Sequence, residues 1–369
     1  MDGVAVPTDT VWKLEPHTGA KHQILRRYLD AWFPILGKYN KKLVYADGFA
    51  GPGCYLDGEP GSPIAALQSA ISHALVLTGN PEFWLIEERP DRLTRLQAEI
   101  ARLTIPKNFI IKTECGTFAE KFRAALDTSD RDGTRHAPMF ALIDPFGFSG
   151  IPYDLIKRVL LRDKCEVLIT FMVDSINRWL THPEDGVRGH IIETFGTDEA
   201  IEIAFGVGDR ATSLKNLYQR QLKKVALFVR YFEMRDQSDR AVYYLFFATN
   251  NPLGHIKMKE SMWKVDPMGD FRFSDATNPD QQVLFSEPPT GGLASDLKSH
   301  FRAKPKMQIA TVEEYVQNDT AYLRKHMVDA LKLLEKAGDL AVADTKADGK
   351  KRRAGSYPND ALIRFTASA

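Results

Sequence analysis

The sequence predicts an α/β protein with a mostly parallel sheet, a last strand that runs antiparallel, and a C-terminal winged helix-turn-helix domain. Short apolar runs alternate with helical segments over residues 17–173, which is the pattern of a parallel sheet covered on both faces. Two extended runs, 224–235 and 241–250, are separated by a polar turn, which is a hairpin signal. Residues 293–369 read as three helices followed by a two-stranded ribbon with a basic tip.

The individual elements follow from hydrophobic periodicity in chain order. Apolar residues recur at helical spacing in 17–36, which predicts an N-terminal helix. Ser62 suits the N-cap of the next helix, and Pro63 suits its first position. Five short apolar runs, each followed by a helical segment, are predicted to be strands at 42–48, 82–88, 108–116, 138–147 and 165–173.

Domain boundaries follow from a change in composition after residue 266. Residues 1–266 hold the strand and helix units. Residues 267–292 are rich in Pro, Gly, Asp and Asn, so we predict a linker there, with a short strand at 282–286. Residues 293–369 form the predicted winged helix-turn-helix domain.

Composition limits the class of protein. The chain has 369 residues, 44% of them hydrophobic and 26% charged, which is typical of a globular protein with a sizeable core. The net charge of +1 means that any affinity for nucleic acid must come from a local patch. Cys54, Cys115 and Cys165 lie far apart, so we expect reduced thiols in a cytoplasmic protein. The sequence shows no signal peptide and no apolar run of membrane-spanning length.

A loop of small residues follows the first predicted strand, in the segment YADGFAGPG (45–53). Its glycines permit positive φ angles and a close approach of the backbone to a ligand. A dinucleotide-binding pattern fits poorly, because Glu87, the next acid that ends a strand, lies further along than the required spacing of about 20 residues. An ordinary strand-to-helix turn is the alternative.

The same features resemble class I S-adenosylmethionine (SAM) methyltransferases, which share a Rossmann-like sheet. Those enzymes have an acid and a small-residue loop after the first strand, and a final antiparallel strand reached through a hairpin. Asp47 can attract the cationic methionine end of SAM, directly or through water. The resemblance implies that Glu87 holds the ribose hydroxyls and that Glu88 lies beside the adenine. The predicted cofactor-binding residues are Asp47, Gly48, Phe49, Gly51, Gly53, Glu87, Glu88 and Cys115.

The motif LIDPFGF (142–148) ends the fourth predicted strand. It resembles the D-P-P-Y motif of methyltransferases that act on base amino groups, and the D-P-F-G form found in tRNA guanine-N2 dimethyltransferases. We predict that the Asp144 carboxylate and the Pro145 carbonyl accept the N–H groups of such an amine, at about 1.5–3 kcal/mol for a charged acceptor. Phe146 or Phe148 is predicted to stack on a base that has flipped out of its duplex. A simple turn with both phenylalanines in the core is the alternative.

Polar residues also follow the fifth strand, on the side where open α/β sheets bind ligands. Asp174, Asn177 and Arg178 are candidates for substrate contact. The alternative, which we favour, is that they are solvent-exposed residues at the start of a helix. Lys21 and His22 are predicted to be surface groups.

The C-terminal domain carries a cluster of cations in GKKRRAG (349–355), and two more begin its predicted recognition helix. Phosphate contacts of this kind are salt-sensitive and indifferent to sequence. A solvated basic loop and a protein-binding winged helix are the alternatives. The predicted substrate-binding residues are Asn177, Arg178, Arg324, Lys325, Lys350, Lys351, Arg352 and Arg353.

Taken together, the motifs resemble the three-Cys-motif partner protein (TcmP) family over roughly residues 15–270. The segments that carry this resemblance are AKHQILRRYLDAWFPIL, YADGFAGPG, GSPIAAL, FWLIEE, IDPFGF and NPLGHIKMKESMWKVD. It implies a methyltransferase-like fold and a separate partner protein that carries the three-Cys motif (phage Gp37/Gp68-like).

The leading hypothesis is a SAM-dependent methyltransferase that transfers methyl to a base nitrogen of RNA or DNA. No metal is expected, because the electrophile arrives already activated on the cofactor. One alternative is a non-catalytic subunit that binds nucleic acid or its partner. Another is a methyltransferase of a protein or small molecule.

Overall fold

The chain divides into two compact units in the computed structural model. The first comprises Met1–Ser261 and Arg272–Asn278, and the second comprises Met262–Phe271 and Pro279–Ala369. The residues that the structure describes are 7–131, 136–275, 290–302, 304–344 and 351–366.

The first unit alternates strands and helices, as its hydrophobic pattern predicts, and α10 runs from it into the second unit. In chain order the elements are α1 (Pro16–Gly37), β1 (Val44–Asp47), α2 (Ser62–Ser72), β2 (Glu82–Glu87), α3 (Pro90–Ala101), β3 (Ile110–Cys115), α4 (Phe118–Arg131), β4 (Met139–Ile143), α5 (Tyr153–Leu160), β5 (Cys165–Phe171), α6 (Val173–Trp179), α7 (Asp185–Phe195), α8 (Glu199–Glu202), a 3₁₀ turn (Ile203–Phe205), α9 (Arg210–Lys223), β6 (Phe228–Arg235), β7 (Ala241–Thr249), α10 (Pro252–Trp263) and β8 (Arg272–Ser274).

The strands form an eight-stranded sheet in the order β3-β2-β1-β4-β5-β7-β6-β8. Adjacent strands among β1 to β5 run parallel, whereas β7 pairs antiparallel with both β5 and β6. The predicted mostly parallel sheet and its antiparallel hairpin are therefore confirmed. Strand order reverses between β1 and β4, which makes this the switch point where open α/β sheets bind ligands.

One prediction about the linker was wrong. β8 lies within the segment 267–292 that composition marked as a linker, yet it pairs in parallel with β6 at the edge of the sheet. A strand of three residues is too short for its periodicity to be read from the sequence. The strand predicted at 282–286 lies outside the described residues.

Both faces of the sheet are covered by helices. On one face α1 lays Tyr28 against the sheet, with its ring 5.3 Å from that of Phe140 and 5.2 Å from that of Phe247. The opposite face packs against α4, α5, α7 and α9 in one continuous apolar cluster that includes Phe122 and Ile156. Burial of both faces explains why the parallel strands read as continuous apolar runs.

A buried carboxylate joins α1 to the sheet at Glu166 of β5. Tyr28 donates its hydroxyl hydrogen to Glu166, and Thr249 donates to it at 2.9 Å. Burial raises the pKa of Glu166 to about 7, although these hydrogen bonds oppose the rise. The folded state thus binds this proton more tightly than the unfolded chain does.

We expect Glu166→Gln to flatten the pH dependence of stability. Because the folded-state pKa is raised, the contribution of Glu166 is fully present below about pH 4.5 and is lost as the pH rises through about 7. Between pH 5.5 and 8 the unfolding free energy of the wild type should fall by on the order of 2 kcal/mol more than that of the variant. Urea unfolding at both pH values measures the difference, and identical pH slopes would contradict the assignment.

The second unit is a winged helix-turn-helix, as predicted. Its helices pack around a core that includes Leu293, Val312 and Leu331, each with no solvent exposure. Two strands form an antiparallel ribbon, and a third short strand adds to it. The elements are α11 (Thr290–Phe301), β9 (Met307–Gln308), α12 (Ile309–Asp319), α13 (Arg324–Lys336), β10 (Leu340–Val342) and β11 (Leu362–Phe365).

Candidate functional site

A cavity of about 990 Å³ lies at the carboxyl edge of the sheet in the first unit. The loop after β1, the turn after β4 and the end of β5 line it, together with the start of α1 and the β6–β7 hairpin. Its position is the switch point between β1 and β4, and its volume is at the upper end of the usual range for ligand sites. Sheet topology therefore brings the two strongest motifs of the sequence to one site.

The wall of this cavity is rich in acids among the residues that the structure describes. Most of these acids are already paired: His17 contacts Glu15 and Asp275. Lys21 pairs with Asp144, and Arg240 pairs with Asp236. The wall therefore presents only a small excess of negative charge to a cationic ligand. The lining carboxylates are Glu15, Asp144, Asp174, Asp236 and Asp275, and the lining lysines and arginine are Lys13, Lys21 and Arg240.

Asp47 ends β1 and lies fully buried behind the cavity wall. Its carboxylate accepts hydrogen bonds from the Ser62 hydroxyl at 2.7 Å, the Tyr45 hydroxyl at 3.1 Å and the Phe49 amide at 3.2 Å. Burial raises the pKa of Asp47 to about 6 in spite of these donors. Ser62 lines the cavity, so the hydrogen bond from Ser62 connects the buried Asp47 to the cavity wall.

The loop after β1 depends on two glycines. Gly51 and Gly53 have φ angles of +62° and +81°, which favour glycine over every other residue. A Cβ atom on Gly53 would also lie 2.8 Å from a methyl group of Leu96. Backbone without side chains therefore forms this part of the cavity wall, as a loop around a ligand requires.

Glu87 ends β2 and braces the same loop from behind. Its carboxylate accepts the Gly51 amide at 2.8 Å and the Arg89 amide at 2.9 Å, and the residue is 6% exposed. Each oxygen of the Glu87 carboxylate thus already accepts a backbone N–H group. The resemblance implies that this same carboxylate binds the ribose hydroxyls of SAM. Contact between Glu87 and a ribose stays a prediction.

Asp144 follows β4 and forms an ion pair with Lys21 of α1 inside the cavity. Burial on its own would raise the pKa of Asp144, but the charge and hydrogen bond of Lys21 outweigh it, so the pKa is lower than usual. Next to Lys21, burial and the charge of the lysine together lower the pKa of His22 to about 4. The prediction that Lys21 and His22 are surface groups was wrong, because Lys21 is 6% exposed and both residues line the cavity.

The segment before α1 also belongs to the site. Arg92 of α3 donates to the carbonyl oxygens of Pro7 at 2.5 Å and Asp9 at 3.0 Å. Its guanidinium lies 4.7 Å from the ring centroid of Trp12, which packs edge-on against Phe146 at 5.2 Å. Trp12 lines the cavity, although sequence analysis gave it no role. It precedes the first periodic segment, so no pattern marked it.

The predicted residues divide according to whether they line the cavity. Gly48 is buried beside the Phe118 ring, whereas Glu88 and Cys115 are exposed, so these three lie away from the wall. The predicted residues that line the cavity are Phe49, Gly51, Gly53, Asp144, Pro145 and Phe146.

Three further predictions need correction. Phe148 packs against the apolar core, and its carbonyl accepts the Thr194 hydroxyl at 2.9 Å, so it is not placed to stack on a base. Asn177 and Arg178 lie on α6 outside the cavity wall, where Arg178 pairs with Asp174 at 2.5 Å. Of this group only Asp174 lines the cavity.

The basic residues of the second unit have two different roles. Arg324 pairs with Glu313 and donates to Asn359 at 2.6 Å, and Arg352, only 8% exposed, pairs with Glu335 at 2.6 Å. The predicted phosphate contact of Arg352 is therefore corrected to an internal ion pair. The side chain of Arg324 is 42% exposed, so its phosphate contact stays a prediction. The predicted cations that are exposed are Lys325, Lys351 and Arg353, and Lys350 lies outside the described residues.

Sheet and helices together define an α/β protein with a mostly parallel sheet and a C-terminal winged helix-turn-helix domain. A family model described as GMT-like wHTH domain matches residues 272–347. No curated protein matches the chain. The match supports the assignment of the winged helix and leaves the family resemblance of the first unit a prediction.

The described part of the chain contains neither a membrane-spanning helix nor a cluster of metal ligands. No helix there is long and apolar enough to span a membrane. Nor do the described residues include a group of three or more side chains arranged to hold a metal ion.

Proposed function

We propose that the protein is a SAM-dependent methyltransferase that acts on an amino nitrogen of a nucleic-acid base. The observation that carries the proposal is the meeting of the glycine loop after β1 with Asp144 of the D-P-F-G motif in one cavity. A Rossmann-like methyltransferase fold for the first unit is part of the proposal. The antiparallel β6–β7 hairpin at the end of the parallel strands supports it.

The residues of the cavity fit the cofactor in three respects. Its volume of about 990 Å³ leaves room for a nucleoside-sized cofactor and a flipped base. The backbone at Gly51 and Gly53 permits close approach of a ligand. The small excess of negative charge on the wall complements a sulfonium cation. We propose that Phe49, Gly51, Gly53 and Ser62 contact the cofactor, with Asp47 and Glu87 holding this loop in place.

SAM, when bound, would supply an activated methyl group and leave as S-adenosylhomocysteine. The chain therefore has to position the acceptor nitrogen and provide an acceptor for the proton that this nitrogen loses, for which the Asp144 carboxylate is placed. The amine of a base is a poor nucleophile because its lone pair is delocalised into the ring. The ionised carboxylate of Asp144 accepts an N–H of this amine and concentrates electron density on the nitrogen. Phe146 lies beside Asp144 and offers an aromatic ring for stacking on the base.

The second unit supports a nucleic-acid substrate. The GMT-like wHTH domain has a fold that commonly binds nucleic acid, and Lys325, Lys351 and Arg353 are exposed on it. Such contacts hold the polymer without reading its sequence. We therefore propose that the winged helix binds the polymer that carries the target base.

The direct test incubates the protein with methyl-labelled SAM and separate pools of tRNA, rRNA, DNA and protein. We expect label in one nucleic-acid pool, on an exocyclic amine identified by nucleoside analysis. Label in the protein pool alone would indicate the alternative of a protein methyltransferase. Label in no pool, with active control enzymes in each, would contradict the proposed function.

Removal of exposed cations from the wing should weaken nucleic-acid binding. We expect Lys351→Ala/Arg353→Ala to reduce affinity uniformly across sequences and to lower the slope of log K against log salt by up to about 1.8, since each phosphate contact contributes about 0.9. Fluorescence anisotropy with labelled RNA and DNA over a salt series measures both effects.

Arg352→Ala is the matched comparison, because this neighbouring arginine is tied to Glu335 inside the domain. It should lower the melting temperature of the second unit, an effect that the exposed pair should lack. An unchanged salt slope in the double variant would show that the wing does not contact phosphates.

A second candidate is a binding subunit that keeps the methyltransferase-like fold without catalysis. One observation favours it: the acids that end β1 and β2 are both occupied by donors of the chain itself. Calorimetry separates the two candidates, since a binding subunit of this kind would show no affinity for SAM while retaining affinity for nucleic acid.

A further inference from the structure

Lys21 has no role in the proposed function, yet it occupies the centre of the site. It lies in the first half of α1 and is 6% exposed, although lysine is almost never buried without a partner. Its partner is Asp144, which is 123 residues away in the sequence and lies directly after β4. The ring of Tyr243 on β7 lies 5.6 Å from its ammonium nitrogen. The fold therefore brings a buried cation to the acid of the D-P-F-G motif.

We propose that Lys21 is a positioning residue for the methyl transfer, which keeps Asp144 ionised and oriented and restricts the acceptor to a neutral amine beside a hydrogen-bond acceptor. This inference rests on the proposed function. It names the residue that makes Asp144 competent and the chemical class of acceptor that the pair would take.

Asp47 shows how burial affects the pKa of a carboxylate at this edge of the sheet when no lysine lies beside it. Both carboxylates lie at the same switch point, Asp47 fully buried and Asp144 17% exposed, and Asp47 has three hydrogen-bond donors but no ion-pair partner. Burial raises the pKa of Asp47 to about 6. Asp144 is subject to the same effect of burial, yet with Lys21 beside it the pKa is lower than usual. The adjacent ammonium is the largest of the contributions that lower the pKa of Asp144.

The pair also selects among acceptors. A lysine side chain in a protein substrate is protonated at neutral pH, and the Lys21 ammonium would repel it from Asp144. The exocyclic amine of a base is neutral and meets no such repulsion. An ammonium has three N–H donors, so Lys21 can donate to Asp144 and also to a ring nitrogen or carbonyl oxygen of the base. Adenine, cytosine and guanine each carry an amine with such an acceptor beside it.

Other titratable groups face the pair and limit which pH effects are informative. His22 is neutral above its pKa of about 4, and burial raises the pKa of each nearby tyrosine, so these groups do not ionise between pH 5 and 9. Asp47 and His17 do titrate in that range, but both are common to all variants. Burial raises the pKa of Asp47, whereas burial would lower the pKa of His17 and its hydrogen bonds to Glu15 and Asp275 raise it overall. The facing groups are Glu15, His17 and His22 at the start of α1, Tyr45 and Asp47 of β1, Tyr55 of the following loop, and Tyr243 of β7.

The test compares Lys21→Met with Lys21→Arg in the full-length protein. Lys21→Met keeps the length of the side chain without its charge, and Lys21→Arg keeps the charge. For each, kcat is measured from pH 5 to 9 at saturating SAM with the nucleic acid that the wild type methylates, because kcat reports ionisations in the bound complex. SAM affinity and circular dichroism establish that each variant is folded and binds the cofactor.

We expect Lys21→Met to bind SAM within about fivefold of the wild type while kcat at pH 7 falls about 100-fold. The acid limb of its kcat profile should move up by at least one pH unit, because Asp144 then ionises only at higher pH, and Lys21→Arg should keep the wild-type limb.

A purely structural role would lower activity at every pH without moving the limb. A wild-type kcat profile in a folded Lys21→Met overturns the inference alone, whereas absence of transfer by the wild type overturns the proposed function and this inference with it. If Lys21→Met does not fold, Lys21→Arg decides, and a moved acid limb in that variant overturns the inference.

Discussion

Replacement of Asp144 by asparagine is expected to reduce the rate of methyl transfer by about 10² at pH 7.5 while SAM affinity stays within a few-fold. Asparagine fills the same space and retains one acceptor oxygen, but it lacks the charge that localises the lone pair of the target amine. A hydrogen bond to a charged acceptor is worth about 1.5–3 kcal/mol, and tenfold in rate corresponds to about 1.4 kcal/mol. Initial rates with methyl-labelled SAM measure the effect.

The same change should lower stability, because it leaves the Lys21 ammonium buried without a counter-charge. We expect a loss of about 2 kcal/mol in unfolding free energy, less than for full removal of a buried partner, since an acceptor oxygen remains. Asp154→Asn is the matched control. That acid lies at the start of α5, outside the cavity wall, and pairs with the exposed Arg123, so activity and stability should both stay close to wild type. Unchanged methylation by Asp144→Asn would favour the binding-subunit candidate.

Replacement of Asp47 by asparagine should weaken SAM binding strongly without destabilising the protein at pH 7.5. The carboxylate is fully buried behind Ser62, and its hydrogen-bond donors are the neutral groups of Ser62, Tyr45 and Phe49. The attraction between a buried charge and a nearby cation is worth roughly 3 kcal/mol at an effective dielectric constant of 20, or about 100-fold in affinity. Calorimetry with SAM at pH 7.5 measures the loss.

The stability effect of Asp47→Asn follows from the sign of its pKa shift. The folded-state pKa is raised to about 6, so ionised Asp47 opposes folding, and its contribution to stability is lost as the pH rises through 6. Asparagine cannot ionise and still accepts a hydrogen bond, so the variant should be at least as stable as the wild type at pH 7.5. Wild-type SAM affinity should decline below pH 6, whereas that of the variant should be flat. Unchanged affinity in the variant would show that the charge plays no part in binding.

Most of the first unit could be predicted because its strands are buried on both faces. Continuous apolar runs at β1, β2, β4 and β5 gave strands within a few residues of their observed bounds. The run predicted at 138–147 was too long, since β4 ends at Ile143 and the D-P-F-G motif that follows turns the chain. β8 could not be predicted, because its pairing with β6 is a property of the tertiary structure.

The site was less predictable because its contacts join distant parts of the chain. Glycines after a strand predict a loop, but only the three-dimensional structure shows that the Gly51 amide donates a hydrogen bond to Glu87. Lys21 did leave a signal that was missed. It stands three and four residues before Ile24 and Leu25, on the apolar face of α1, and a lysine on such a face requires a buried partner. Arg324 and Arg352 gave no comparable signal, since the acids they pair with are remote in sequence.

The most direct test of the account is titration of the wild-type protein with SAM by isothermal calorimetry at pH 7.5. We expect saturable binding at one site with a Kd well below 1 mM, and binding of the demethylated product S-adenosylhomocysteine to the same site in competition. Absence of binding by both compounds at millimolar concentration, from protein that circular dichroism shows to be folded, would contradict the account.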